Sequence, residues 1–232
     1  MLDFDQYEVL TFDCYGTLID WETGILGALQ PVLNRHGIKM EDPELLRLYG
    51  ELETQAEEGV FKAYKEILGS VLKGFGARLE FDPEQEELEH FQKCIREWPP
   101  FADSTRALNS LQKKYKLAIL SNIDNDLFRF SAQHLQIDFD YVMTAQQIGS
   151  YKPSHKNFEY AISKLNLPSS KILHVAQSLF HDIKPAREVG LDTVWVNRRS
   201  GKTGTGATPP ATAEPDLEVP DLQSLVNLIG LD

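Results

Sequence analysis

Four short apolar runs rich in β-branched residues punctuate the chain: YEVLTF at 7–12, KLAIL at 116–120, KILHVA at 171–176 and DTVWV at 192–196. Runs of this length and composition predict buried strands. Between them the apolar spacing turns helical, as in NDLFRFSAQHL at 125–135 and HKNFEYAISKL at 155–165. Strand alternating with helix predicts an α/β fold with a parallel sheet covered on both faces. From Asp20 to Pro99 no strand pattern occurs, and four helical stretches take its place: WETGILGALQPVLNRHG, DPELLRLYGELETQAEE, VFKAYKEILGSVLKGFG and PEQEELEHFQKCIREW. Asp42 followed by Pro43 predicts an N-cap and first-turn pair for the second of these. The predicted organisation is a core of residues 1–19 and 100–232, interrupted by a helical insertion over 20–99. The Gly/Thr/Pro-rich segment 200–216 predicts a mobile surface loop, and PDLQSLVNLIGL a closing helix.

A chain of 232 residues can bury one substantial core plus a smaller satellite. With 35 acids against 23 bases, a net charge of −12, neither an extended nucleic-acid footprint nor anionic lipid is expected as a partner. No stretch approaches the roughly 18 apolar residues of a spanning helix, and the start, MLDFDQYEVL, lacks a basic n-region. Cys14 and Cys94 make no disulfide framework, so a cytoplasmic location is expected. Residues 20–99 hold 17 acids against 9 bases, so most of the acid excess falls in the insertion.

In open parallel sheets, sites form beyond the carboxyl ends of the strands. There stand Asp13 with Gly16 and Thr17, then Ser121-Asn122, then Gln177-Ser178-Leu179-Phe180-His181-Asp182. Tyr151-Lys152-Pro153 precedes a predicted helix. Each has an ordinary reading: Asp13 as a turn residue, Asp182 as an N-cap, Lys152 as a solvated lysine. Their order along one topology predicts instead that a nucleophilic carboxylate, a hydroxyl–amide pair, a lysine and a second carboxylate meet on one rim.

FDCYGTL, LSNID, SYKPS and QSLFHDIKPA, in that order and with the helical insertion where it stands, resemble the haloacid dehalogenase superfamily, and within it the L-2-haloacid dehalogenase (type II) branch. The resemblance implies a Rossmann-like core with Asp13 as nucleophile and the insertion as a helical cap. Superfamily phosphatases carry a second Asp two positions after the nucleophile; here that position is Tyr15, a poor proton donor to a leaving alkoxide. They also hold Mg²⁺ with acids of the last motif, where this chain has Gln177 and keeps only Asp182. Halide leaves without a general acid, so both departures spare dehalogenation.

The expected reaction is therefore metal-independent hydrolysis of a short 2-haloalkanoic acid, a small anionic substrate, through an aspartyl ester on Asp13 with one inversion. Lys152 would hold Asp13 ionised and Thr17 would orient it. Ser121, with the backbone around Cys14 and Tyr15, would bind the substrate carboxylate. The resemblance assigns halide to Arg47 helped by Asn122; the plain alternative for Arg47 is an i,i+4 ion pair with Glu51. Asp182 is the first candidate to assist the hydrolytic water and His181 the second. The other histidines, His174 among them, read as structural. Phe158 stands where the branch has Tyr. No metal or other cofactor is expected for the dehalogenase. Two alternatives stay open: an Mg²⁺-dependent phosphatase of a small ester, and a catalytically silent binding protein. The resemblance also implies a homodimer.

Overall fold

Six parallel strands form one sheet in the computed structural model, which describes residues 2–202, 204 and 206–231. They are β1 (Val9–Phe12), β2 (Lys116–Ser121), β3 (Tyr141–Thr144), β4 (Ile172–Ala176), β5 (Asp192–Val196) and β6 (Leu217–Val219), in the spatial order β3-β2-β1-β4-β5-β6. The four predicted strands are present, and the fold is the expected α/β Rossmann-like one. β3 and β6 were not predicted: YVMT and LEV are too short to stand out from their flanks.

Alternation along the strands divides the core into two layers. Val9, Ala118, Leu120 and Ile172 point to one face, where α8 (His155–Leu165) and α9 (Lys184–Glu188) pack through Phe158, Ala161 and Ala186. Leu10, Phe12, Leu117, Ile119, Leu173 and Val175 point to the other. That face is covered by α5 (Ser104–Leu111), α6 (Asn125–Leu135) and α10 (Leu222–Ile229). A one-turn helix, α7 (Ala145–Ile148), leads from β3 towards Lys152.

Between β1 and α5 run α1 (Trp21–Arg35), α2 (Asp42–Glu57), α3 (Tyr64–Leu79) and α4 (Gln85–Phe91). α2 begins one residue earlier than its predicted cap allows. Glu41 is the N-cap, Asp42 is already helical, and Pro43 falls in the first turn, where its missing N–H costs nothing. Their buried side chains are continuous with the core on the α5/α6/α10 side of the sheet.

The segment 200–216 departs from its prediction. Residues 203 and 205 lie outside the described ones, but Gly206, Ala207 and Thr208 are buried rather than free on the surface. Ala207 N–H donates to Glu22 Oε1 at 3.3 Å, and a Cβ at Gly50 of α2 would overlap the Ala207 carbonyl. A strap of the core thus lies in a notch that only glycine leaves open.

Candidate active site

β1 is the sheet's switch point, with β2 on one side and β4 on the other. The chain leaves all three strands at one end, which places Asp13, Ser121 and Gln177 side by side. Asp13 is followed by a tight turn in which Leu18 and Ile19 N–H both donate to the Cys14 carbonyl, at 2.8 and 2.9 Å. Gly16 takes φ +91° there, a conformation that strains any other residue, and its missing side chain leaves room for Trp21 and Gln177.

The carboxylate of Asp13 is held at both oxygens. Lys152 Nζ donates to Oδ1 at 2.8 Å, and Thr17 Oγ1 donates to Oδ2 at 2.7 Å. The Thr17 hydroxyl in turn accepts the Gln177 N–H at 2.9 Å, so its one proton is directed at Asp13. Lys152 uses all three ammonium protons: besides Asp13 it donates to Leu120 O at 2.9 Å and to Asp182 Oδ1 at 2.6 Å. Its backbone is clamped by Asn122, whose Nδ2 donates to Lys152 O at 3.0 Å and whose Oδ1 accepts Lys152 N–H at 2.7 Å. Asn122, expected as a halide helper, thus positions the lysine, and it also lines the cleft with one Nδ2 proton uncommitted.

Asp182 and His181 lie on a wide π-type turn, Leu179–Ile183, which follows β4. Asp182 Oδ1 accepts from Lys152 and also from His174 Nε2 at 3.0 Å, while His174 Nδ1 lies 2.9 Å from Thr11 Oγ1. In the neutral ring, Nε2 donating to Asp182 leaves Nδ1 to accept the Thr11 hydroxyl. Phe158 packs edge-on against this ring with centroids 5.4 Å apart. His174 is therefore tied to the site, a link that sequence reasoning missed. The signal was present: a histidine inside an apolar strand must find a polar partner.

Burial pushes Asp13 above the ordinary carboxylate range, against the opposing pull of Lys152 and Thr17. For Asp182, burial would act the same way but is outweighed by the Lys152 ammonium and the His174 bond, and its carboxyl lies below the usual range. Burial pulls the His181 imidazole down to about 4, helped by Lys152 and resisted by Asp182. His181 is thus neutral at physiological pH and a weak base.

A narrow cleft opens onto this cluster. Tyr15 lines it, with its hydroxyl 2.9 Å from Ser131 Oγ and its ring edge-on to Trp98. Ser121 lines it with a buried Oγ that has no hydrogen-bond partner. The Cys14 side chain is fully buried in the core, where burial pushes its thiol well up, so any part Cys14 plays here belongs to its backbone, as expected of it. Arg47 does not reach the cleft. Its guanidinium is exposed, lies 3.3 Å from Glu51, and borders a separate cavity beside the strap. The plain alternative for Arg47 is the one the fold adopts.

In its place the helical insertion presents Trp21, Glu53, Glu57 and Tyr64; a Trp or Phe of the insertion was expected to line the pocket, but the two carboxyls and the phenol were not predicted. Glu53 is buried, and its Oε1 accepts from Tyr49 Oη at 3.1 Å and from Tyr64 Oη. Burial pushes its carboxyl up to about 7 against those two bonds. Burial and the neighbouring Glu53 push Glu57 well above the usual range.

The sequence profile of the haloacid dehalogenase-like hydrolases matches residues 10–196. The chain belongs to that family. The match runs from β1 to the end of β5, includes the whole Asp13–Lys152–Asp182 cluster, and stops short of the strap. Among relatives of this hydrolase, an (S)-2-haloacid dehalogenase of Pseudomonas sp. strain CBS-3 is 26% identical over 84% of this chain and 86% of its own. Another from Pseudomonas sp. strain YL is 32% identical, over 56% of this chain and 54% of its own. Pyrimidine 5'-nucleotidase of Escherichia coli K12 is 27% identical over 47% and 50% of the two chains. Among solved structures, the L-2-haloacid dehalogenase of Xanthobacter autotrophicus superposes with a TM-score of 0.78 at 19% identity, covering 97% of this chain and 98% of its own.

Phosphatase members of such a family imply magnesium. The residues here do not fit it. The Lys152 ammonium already bonds Oδ1 of both Asp13 and Asp182, and the turn after β4 that carries Asp182 offers Gln177 and Ser178 rather than a further acid. Among the described residues no group of three His, Cys, Asp or Glu side chains is disposed to hold a metal ion. Among those residues, too, no helix is long and apolar enough to cross a membrane.

Proposed function

We propose that this hydrolase cleaves the carbon–halogen bond of a short 2-haloalkanoate, with Asp13 as nucleophile. The observation that carries the reading is the pairing of a fully held Asp13 with Tyr15 two positions on. The Tyr15 hydroxyl contacts Ser131, and burial pushes its phenol well up, so it is a poor donor to a leaving alkoxide. A nucleophile without a nearby acid suits a leaving group that departs as a weak base. The relatives similar over most of the chain are named for the same reaction.

In this reading a carboxylate oxygen of Asp13 attacks C2 in line, the C–X bond breaks, and halide leaves with the bonding pair. Lys152 and Thr17 hold the carboxylate so that little orientational freedom is lost at attack. Water then adds to the ester carbonyl, and Lys152 stabilises the negative charge that develops on its oxygen. Collapse breaks the bond between Asp13 Cγ and the substrate oxygen, which takes one proton of the added water while the other passes to solvent, and so returns the Asp13 carboxylate and frees a 2-hydroxy acid inverted at C2. Asp182 and His181 also line the cleft, and both are weak bases. Activation of the ester by the ammonium thus carries more of the second step than proton removal does.

Halide release from chloroacetate and from each enantiomer of 2-chloropropionate, assayed in EDTA, tests the reading. Release from one enantiomer with inversion is expected, and Asp13→Asn should abolish it. Absence of release, together with Mg²⁺-dependent phosphate release from simple esters, would replace it with the phosphatase alternative.

A further inference from the structure

Among the described residues no guanidinium lines the cleft that faces Asp13. Its insertion wall is made of two carboxyls, a phenol and the Trp21 indole, and this bears on how an anion enters it. Glu53 is the best-defined member. Both phenols that bond it, Tyr49 and Tyr64, meet the same oxygen, Oε1. That oxygen is committed as an acceptor, so a proton on this carboxyl belongs on Oε2. Among the described residues Oε2 has no hydrogen-bond partner, and Glu53 lines the cleft. Across the cleft, Ser121 Oγ is buried and equally unpartnered. A buried hydroxyl without a partner and a carboxyl edge left unbonded around one small space mark a place for a ligand atom that accepts hydrogen bonds.

We propose that Glu53, as a neutral carboxylic acid with its Oε2–H turned into the cleft, determines specificity by donating to the substrate carboxylate or to the departing halide, the latter being the place the family resemblance gave to Arg47. The inference rests on the substrate being a small monoanion, as read above. The acceptor is either the substrate carboxylate or the departing halide, which share this chemistry.

Burial favours the neutral form of Glu53, while the Tyr64 and Tyr49 hydroxyls that donate to it favour the charged form. Glu57 shares its helix, and Asp13 and Asp182 lie across the cleft, so a further negative charge would be repelled. Tyr49 and Tyr64 are buried phenols whose acidity is suppressed by burial and by Glu53 itself. Tyr151 is similarly suppressed, chiefly by burial. His181 is uncharged above about pH 4, which leaves Lys152 as the one cation lining the cleft, already bonded three times. A neutral acid in a dry site is a strong donor to an anion, as protonated carboxyls are in other enzymes. Burial that keeps the Glu53 proton to about pH 7 fits this role.

The test is anion binding rather than turnover. Wild-type protein is titrated with glycolate, and separately with bromide, following tryptophan fluorescence, since Trp21 lines the cleft. Affinity for one of the two should fall at least about tenfold between about pH 6 and pH 8.5, as one ionisation in that interval requires. The anion that shows the fall identifies the end that Glu53 holds. In Glu53→Gln the amide donates at either pH, and the fall should disappear. In Glu57→Gln it should persist. If Glu53→Gln does not fold, Tyr64→Phe removes one donor to the charged form and should move the fall to higher pH. A fall that survives in Glu53→Gln overturns the proposal. So does a wild-type affinity that is flat with pH, or the binding of neither anion at pH 6. Halide release in EDTA is a separate readout, so failure of the dehalogenation reading and failure of the Glu53 assignment are told apart.

Discussion

Lys152 gathers this site around one ammonium group. Its three protons meet Asp13, Asp182 and the end of β2, all beneath the surface. Removing it leaves two buried carboxylates unpaired, a change that costs about 3–5 kcal/mol in comparable sites. Lys152→Met should therefore lower the urea midpoint substantially as well as abolish turnover, and equilibrium unfolding measures the first effect alone. Glu53 predicts the opposite sign. Its folded-state value lies above that of an unfolded glutamate, so between about pH 4.5 and 7 the unfolded chain has lost a proton that the folded chain retains. Stability from this group is fully present below pH 4.5 and is lost as pH rises through about 7. Glu53→Gln should therefore gain on wild type across that interval, by at most about 3 kcal/mol, and be level with it in pH dependence above. Unfolding curves of both proteins at pH 4.5, 6 and 8 check the trend.

At the scale of elements, α2 shows what was legible in the sequence and what was not. Leu45, Tyr49 and Leu52 form its buried stripe, and at roughly 100° per residue Arg47 falls on the opposite side while Glu53 falls beside Tyr49. The periodicity alone already turned Arg47 outward and Glu53 inward; the expectation for Arg47 followed the family resemblance instead. Asp13, Ser121 and Asp182 were readable because each stands just past a strand, and the switch-point rule brings those strand ends together. Lys152 was readable only through its motif, since its approach depends on the Asn122 clamp, a contact between distant segments. The strap had no readable signal, because glycine- and proline-rich composition does not disclose a docking partner. Its notch yields a prediction. In an exposed helix, Gly→Ala gains about 1 kcal/mol. At Gly50 the new Cβ would meet the Ala207 carbonyl. Gly50→Ala should give no thermal stabilisation and should make the 200–216 segment more readily cleaved by protease, with the rest of the chain intact.

For the whole molecule, charge is the coarse variable. The helices between β1 and α5 carry most of an excess of −12, and the cleft wall they contribute is itself acidic. Such a field repels a small anion at long range and is screened by salt. For a monoanionic substrate kcat/KM should rise as ionic strength is raised from about 10 to 200 mM, with kcat unchanged, which steady-state kinetics in sodium sulfate would show. The way the chain is threaded has a further consequence, for descent. The helical segment enters and leaves the sheet topology between β1 and α5, whereas Asp13, Lys152 and Asp182 all belong to the sheet framework. Reaction chemistry and substrate choice can therefore diversify on separate clocks, one set of helices replacing another above an unchanged catalytic floor. The strap limits that freedom in this chain. Any other set of helices placed there must leave a gap where Gly50 stands, or residues 206–208 must take another path, so a single missing methyl group couples the insertion to the sheet framework.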